Sequence, residues 1–244
     1  MQGFWQGQSP AQPSWPALAL GLVLVVVGNA LLALPGGAMG DEGWALVGVK
    51  LALLGFALAW ARRVAGLGLG EIGLGERGWW RHGLLGVGVG VMLAAPMAAY
   101  LLFPLGIPGG QVGYQGEEAR GLGAFLLWAL VRQPLATSLF EELLFRGILQ
   151  ALAIRSWGVV RGVAWVSLAF ALWHLVVNYR TIRATAVGHV PALFWLAQLA
   201  ALIGVAAGSL VLSILRLRTG GLSAPVGFHW AVVVTMRGAL LVAS

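Results

Sequence analysis

The chain has 244 residues, of which 59% are hydrophobic and 9% charged, with a formal net charge of +7 and no cysteine. A soluble domain must present polar atoms to water, so a mean hydropathy of +0.88 excludes one and implies an all-α, polytopic transmembrane helical bundle of about seven to eight spans; long unbroken apolar runs exclude a transmembrane barrel. The missing cysteine excludes thiolate metal sites, a cysteine nucleophile and disulfides, and arginines beside apolar runs, with Lys50 the only lysine, point to topology and membrane lipids, not nucleic acid.

Residues 1–16 carry no charge and lack the basic start of a signal peptide, so they read as a disordered lead into a single integral-membrane domain over 17–244. Apolar runs predict spans at 18–34 and 44–60, the second closed by Arg62 and Arg63. A Gly-rich linker over 64–81 follows, with Trp79 and Trp80 as interface anchors. Its Gly68 and Gly70 echo a phosphate loop only weakly, without the required glycine spacing or a preceding strand. The third span is 84–105 and an interfacial loop covers 106–121. The fourth, 122–154, should kink at Pro134. The remaining spans are 159–177, 191–215 and 222–242. Gly86, Gly88, Gly90, Gly204 and Gly208 suit close helix packing in lipid. Arg62, Arg63, Arg77, Arg81, Arg155, Arg161, Arg216 and Arg218 gather on one side, which the positive-inside rule makes cytoplasmic; the N-terminus is then inside and the C-terminus outside.

The polar residues inside the spans carry the chemistry. Of eight acids, Glu141 and Glu142 alone fall in a membrane-grade apolar run; Asp41, Glu42, Glu71, Glu76, Glu117 and Glu118 fall in connections. A carboxylate at the bilayer centre costs about 2.5–3.5 kcal/mol even on lenient scales, so such a pair marks a site. His174 lies deep in the fifth span and His229 in the seventh, whereas His82 and His189 read as solvated. Counting from the flanking arginines at about 1.5 Å per residue puts Glu141 and His174 roughly 20 Å, and His229 roughly 16 Å, from the cytoplasmic boundary. Three helices thus bring ionisable groups to nearly one level. Glu142 and Arg146 are four apart on one face, acid first, the favourable order for an ion pair. Glu141 points about 100° away, without that partner, which suits a general base acting on water. His174 and His229 could polarise a carbonyl, donate to an oxyanion or protonate a leaving amine.

Three other readings compete. The cluster could be a polar packing or ion pathway, although a transporter should show paired broken helices in two related halves. Glu141, His174 and His229 could hold zinc with an open position, although no His-Glu-x-x-His is present. A non-catalytic peptide binder could use the same cavity. Asp41, the sole aspartate, excludes a two-aspartate protease, no Gly-x-Ser-x-Gly occurs, and Ser138 has no evident base and orienter.

Glu141-Glu142-x-x-x-Arg146, Phe170-x-x-x-His174 and the later His229 together resemble the CAAX-protease and bacteriocin-processing family of glutamate intramembrane peptidases, over about 134–233. The resemblance implies an intramembrane endopeptidase in which Glu141 activates a water, Glu142 and Arg146 support it, His174 assists the water or leaving group and His229 helps form the oxyanion site, with no obligatory cofactor. Phe170 belongs to the second motif. The implied partners are peptides or lipid-linked proteins. The implied setting, with the small size and arginine-rich usage, is a bacterial cytoplasmic membrane. The family's third motif ends in Asn or Asp four residues after its histidine, where this chain has Val233. Asn178, four residues after His174, is expected to share its face and to be a substitute donor.

Overall fold

A computed structural model of the chain describes residues 14–33, 44–103 and 121–243. Most of the expected lead, Asp41, Glu42, Glu117, Glu118 and most of the loop over 106–121 lie outside them. The described residues form helices α1 (Trp15–Ala33), α2 (Trp44–Arg63), the single turn α3 (Leu69–Ile72) and α4 (Trp79–Leu102). They continue with α5 (Leu122–Trp173), then α6 (Leu175–Arg183), a 3₁₀ turn (Ala186–His189), α7 (Pro191–Thr219) and α8 (Ser223–Ala243). Among them, α4, α5, α7 and α8 are long and apolar enough to cross a membrane, and α1 contributes a shorter apolar helix.

Helix α5 is the centre of the bundle. Every residue from Phe140 to Ile154 is buried, whereas α1, α4 and α7 expose stripes of large apolar side chains such as Val26, Met92 and Leu199. A helix enclosed on all sides is the interior member of a bundle, and the exposed stripes are the surfaces lipid would cover.

Two features of α5 depart from a straight span. Gly158 takes φ 77 and ψ 175, far outside helical values. That left-handed φ is open to glycine without a Cβ penalty, and it separates α5 into the arms expected as the fourth and fifth spans. The expected break at Pro134 takes another form. Gln133 keeps helical φ −62 and ψ −48, and π-helical turns occupy Trp128–Arg132, Pro134–Leu139 and Leu143–Leu149. The looser i→i+5 pattern accommodates a residue without an N–H while the helical course continues.

Glycine sets the closest packing, between α4 and α8. A Cβ on Gly90 would sit 2.6 Å from the carbonyl oxygen of Phe228, and one on Gly227 would sit 2.5 Å from that of Gly83. Gly86 is tighter still, against the carbonyl oxygen of Ala224. Gly88, Gly204 and Gly208 meet nothing within 4 Å, so the packing role expected of them is not found. The helix ends differ modestly: α4 begins at Trp79, inside the expected linker, and α7 runs on to Thr219.

The connection between α2 and α4 is largely exposed, but its acids are paired. Glu71 pairs with Arg155, Glu71 O accepts from Arg216 Nη2 at 2.8 Å, and Glu76 pairs with His82 and accepts from Ser223 Oγ at 2.7 Å. Arginines from α5 and α7 thus clasp this segment, and His82, expected to be solvated, is paired with Glu76.

Because the Gly90 contact is with backbone, Gly90→Val should cost about 1–3 kcal/mol of stability. Gly88→Ala should be neutral or slightly stabilising. Thermal unfolding in detergent would separate the two, and equal melting temperatures would remove the packing role of Gly90.

Candidate active site

The polar groups of α5 meet side chains from α7 and α8 in the bundle interior. Arg146 Nη1 donates to Glu142 Oε1 at 3.2 Å, and both side chains are 0% exposed. The spacing expected for this pair therefore produces it. Arg146 Nη2 also donates to Ser209 Oγ of α7 at 2.7 Å, and its guanidinium carbon lies 4.1 Å from the ring centroid of Phe170. An ion pair here needs such extra partners, because desolvating two charges consumes most of their mutual attraction.

Phe170 is the plate around which the motif residues assemble. Its ring lies 4.5 Å from that of His174, 6.1 Å edge-on from His229 and 5.0 Å edge-on from Phe145. This arrangement restricts both imidazoles, as edge-to-face contacts do.

The hydrogen bonds define the ring nitrogens. His174 Nδ1 is 2.8 Å from the carbonyl oxygen of Phe170. A carbonyl only accepts, so Nδ1 carries the hydrogen and the Nε2 of a neutral ring is an acceptor. His229 Nδ1 is 2.9 Å from Glu142 Oε1 and donates to that carboxylate, which leaves its Nε2 in the same condition. Both Nε2 atoms face Glu141 Oε2, at 3.8 Å from His174 and 4.0 Å from His229. Glu141 Oε1 accepts from Trp173 Nε1 at 3.3 Å. The two glutamates thus differ as expected, but Glu141 has an indole partner that spacing along its own helix does not reveal. Its Oε2 and the two imidazole nitrogens form a ring of acceptors, complementary to a small molecule that donates two hydrogens.

Those residues are also the alternative zinc ligands. Among the described residues, no group of three such side chains is close enough to hold a metal ion.

Residues 123–235 match the family model described as type II CAAX prenyl endopeptidase Rce1-like. That segment, a little under half of the chain, is similar to this family. The family so described is one of peptidases, and four of the described helices are long and apolar enough to cross a membrane. Neither a curated protein nor a solved structure matches the chain.

The remaining candidates fall out as follows. His174 is not deep inside a continuous helix: it has φ −89 and ψ 5 at the junction of α5 and α6. Asn178 therefore stands in the first turns of the new helix, its N–H donating to His174 O at 2.9 Å, and its side chain joins none of the hydrogen bonds around Glu141 or His229. That bond sets Asn178 one helical turn after His174, and its Nδ2 is buried without a hydrogen-bond partner. Ser138 is buried and bonded to Gln133 at 2.9 Å, away from the glutamates' hydrogen bonds. His189 is exposed. Ser209 and Trp173 were missed because only ionisable residues were followed into the spans. Small hydroxyls and indoles in an apolar run carry little signal until their partners are known.

Arg146→Leu would leave Glu142 without its cation and should cost about 3–5 kcal/mol. Ser209→Ala should cost about 1–3 kcal/mol, the scale of a buried hydrogen bond to a charge. Denaturant unfolding would measure both, and a wild-type midpoint for Arg146→Leu would show that the pair does not hold the site.

Proposed function

We propose that the chain is a metal-independent intramembrane endopeptidase that hydrolyses a peptide bond in a membrane-attached protein, leader or C-terminal tail. The reading rests on one observation, the approach of Glu141 Oε2 to the Nε2 atoms of His174 and His229. Water donates one hydrogen to Glu141 and the other to an imidazole. Glu141 takes the first proton as the water oxygen attacks the scissile carbonyl carbon. The negative charge gathers on the carbonyl oxygen. His229 donates to it from Nε2 when doubly protonated, its charge balanced by Glu142 at Nδ1. Collapse breaks the C–N bond, and the proton held by Glu141 passes to the leaving nitrogen with the help of His174. Glu142 and Arg146 touch neither water nor substrate in this scheme; they fix His229 and, through Phe170, the ring of His174.

The substrate class suggested by the family is a lipid-linked or leader-bearing polypeptide, with membrane lipids as the surrounding partners and no nucleic acid. The setting we propose is a bacterial cytoplasmic membrane. Val233 favours one other reading. It lies one turn beyond His229, where an Asn would supply a second oxyanion donor, and the missing donor suits a slow enzyme or a peptide-binding protein without turnover.

A panel of lipid-linked and leader peptides, incubated with purified protein, tests the proposal. Glu141→Gln should abolish cleavage and a chelator should leave the wild-type rate unchanged. Loss on chelation, restored by zinc, would replace the scheme with a metal one. Val233→Asn should raise kcat by on the order of 10²-fold, the scale of one oxyanion donor; an unchanged kcat would place the oxyanion site elsewhere.

A further inference from the structure

The break at His174 creates a local problem. Where α5 ends and α6 begins, the last carbonyls and first amides lose their intrahelical partners. His174 occupies the N-cap position of α6, but its side chain makes no cap there. None of residues 172–178 is fully buried, so neighbouring side chains or solvent must satisfy these groups.

Asn29 of α1 satisfies one of each, and a second amide side chain, Gln198 of α7, braces the start of α6. Asn29 of α1 donates from Nδ2 to Leu172 O at 2.8 Å and accepts at Oδ1 from Val176 N–H at 2.9 Å. It thereby holds one carbonyl of the ending helix and one amide of the starting helix, on either side of His174. Only a side chain with both a donor and an acceptor can do this, which suits asparagine and excludes leucine or an ionised aspartate. Its Nδ2 also reaches Val25 O of α1 at 2.8 Å, which anchors the amide to its own helix. From the opposite side, the buried Gln198 of α7 donates from Nε2 to Leu175 O at 3.0 Å. Next to Asn29, Gly28 leaves room for the ring of Trp173, which a Cβ there would strike; that ring in turn donates to Glu141.

We infer that Asn29 and Gln198 are positioning residues for catalysis: an amide clamp that fixes the helix break and so aims His174 Nε2 at Glu141. The clamp makes α1, which lies outside the matched segment 123–235, part of the active-site scaffold. The catalytic half of the inference rests on the proposed role of His174; the clamp itself does not.

The experiment has two readouts on full-length protein in detergent, for wild type, Asn29→Leu, Gln198→Leu and Glu141→Gln. Hydrogen–deuterium exchange of the peptide covering 172–178 needs no substrate. With Asn29→Leu, the amide of Val176 loses its acceptor and should exchange on the order of tenfold faster or more. Unchanged exchange overturns the clamp. Cleavage kinetics then test its purpose. Asn29→Leu should lower kcat by on the order of 10²-fold with KM within about twofold, because displacing a catalytic group impairs the reaction step and spares binding. Wild-type kcat in Asn29→Leu, with Glu141→Gln inactive, overturns the positioning role. Activity in Glu141→Gln would defeat the proposed mechanism and with it the catalytic half, while the exchange result would still decide the clamp. Gln198→Leu should show both effects more weakly, and it carries the test if Asn29→Leu does not fold.

Discussion

The site depends on a buried ion pair that must be satisfied from more than one helix. Glu142 and Arg146 have no exposure, and in a low-dielectric interior neither charge is tolerable alone. Their own helix supplies the pairing. The other contacts come from elsewhere: Ser209 of α7, the ring of Phe170 beyond the turn at Gly158, and His229 of α8. The ion pair therefore couples the position of each surrounding helix to the next. One link in that coupling, the bond from His229 to Glu142, also fixes which imidazole nitrogen looks toward Glu141.

Helical irregularity is concentrated where it orients chemistry. Loosened π turns flank the two glutamates, Gly158 folds the chain back, and the helix ends at His174. Each device redirects side chains that a straight helix would scatter around its circumference. The cost is a set of unpaired backbone groups, and in this bundle the polar side chains of other spans satisfy some of them. Asn29 does so at the break, and Arg216 does so in the connection between α2 and α4.

Much of this was legible in residue order. Apolar run length marks membrane helices because the bilayer core has a fixed thickness. The four-residue step from Glu142 to Arg146 specifies a pair because helical geometry places those positions on one face. Counting residues from the flanking arginines brought Glu141, His174 and His229 to one level because helical rise is constant. The reading falls short where it assumes continuity. His174 is placed deep in an unbroken span, whereas the helix ends there. His82 reads as solvated because its pairing with Glu76 depends on the path of the connection between them.

The sequence by itself determined an all-helical membrane protein and a set of two glutamates, an arginine and two histidines inside its spans. These follow from composition, periodicity and spacing along single helices, where neighbours in space are also neighbours in sequence; the family-like core rests on the resemblance of the motifs. Only the tertiary structure decided that Glu141 faces both imidazoles, that Phe170 is the plate between them, and that α1 reaches the break beside His174. Those contacts join residues as far apart as Asn29 and Val176, and they depend on the direction in which each helix leaves its turn. Periodicity reports which side of a helix a residue occupies; it carries no information about which other helix that side will meet.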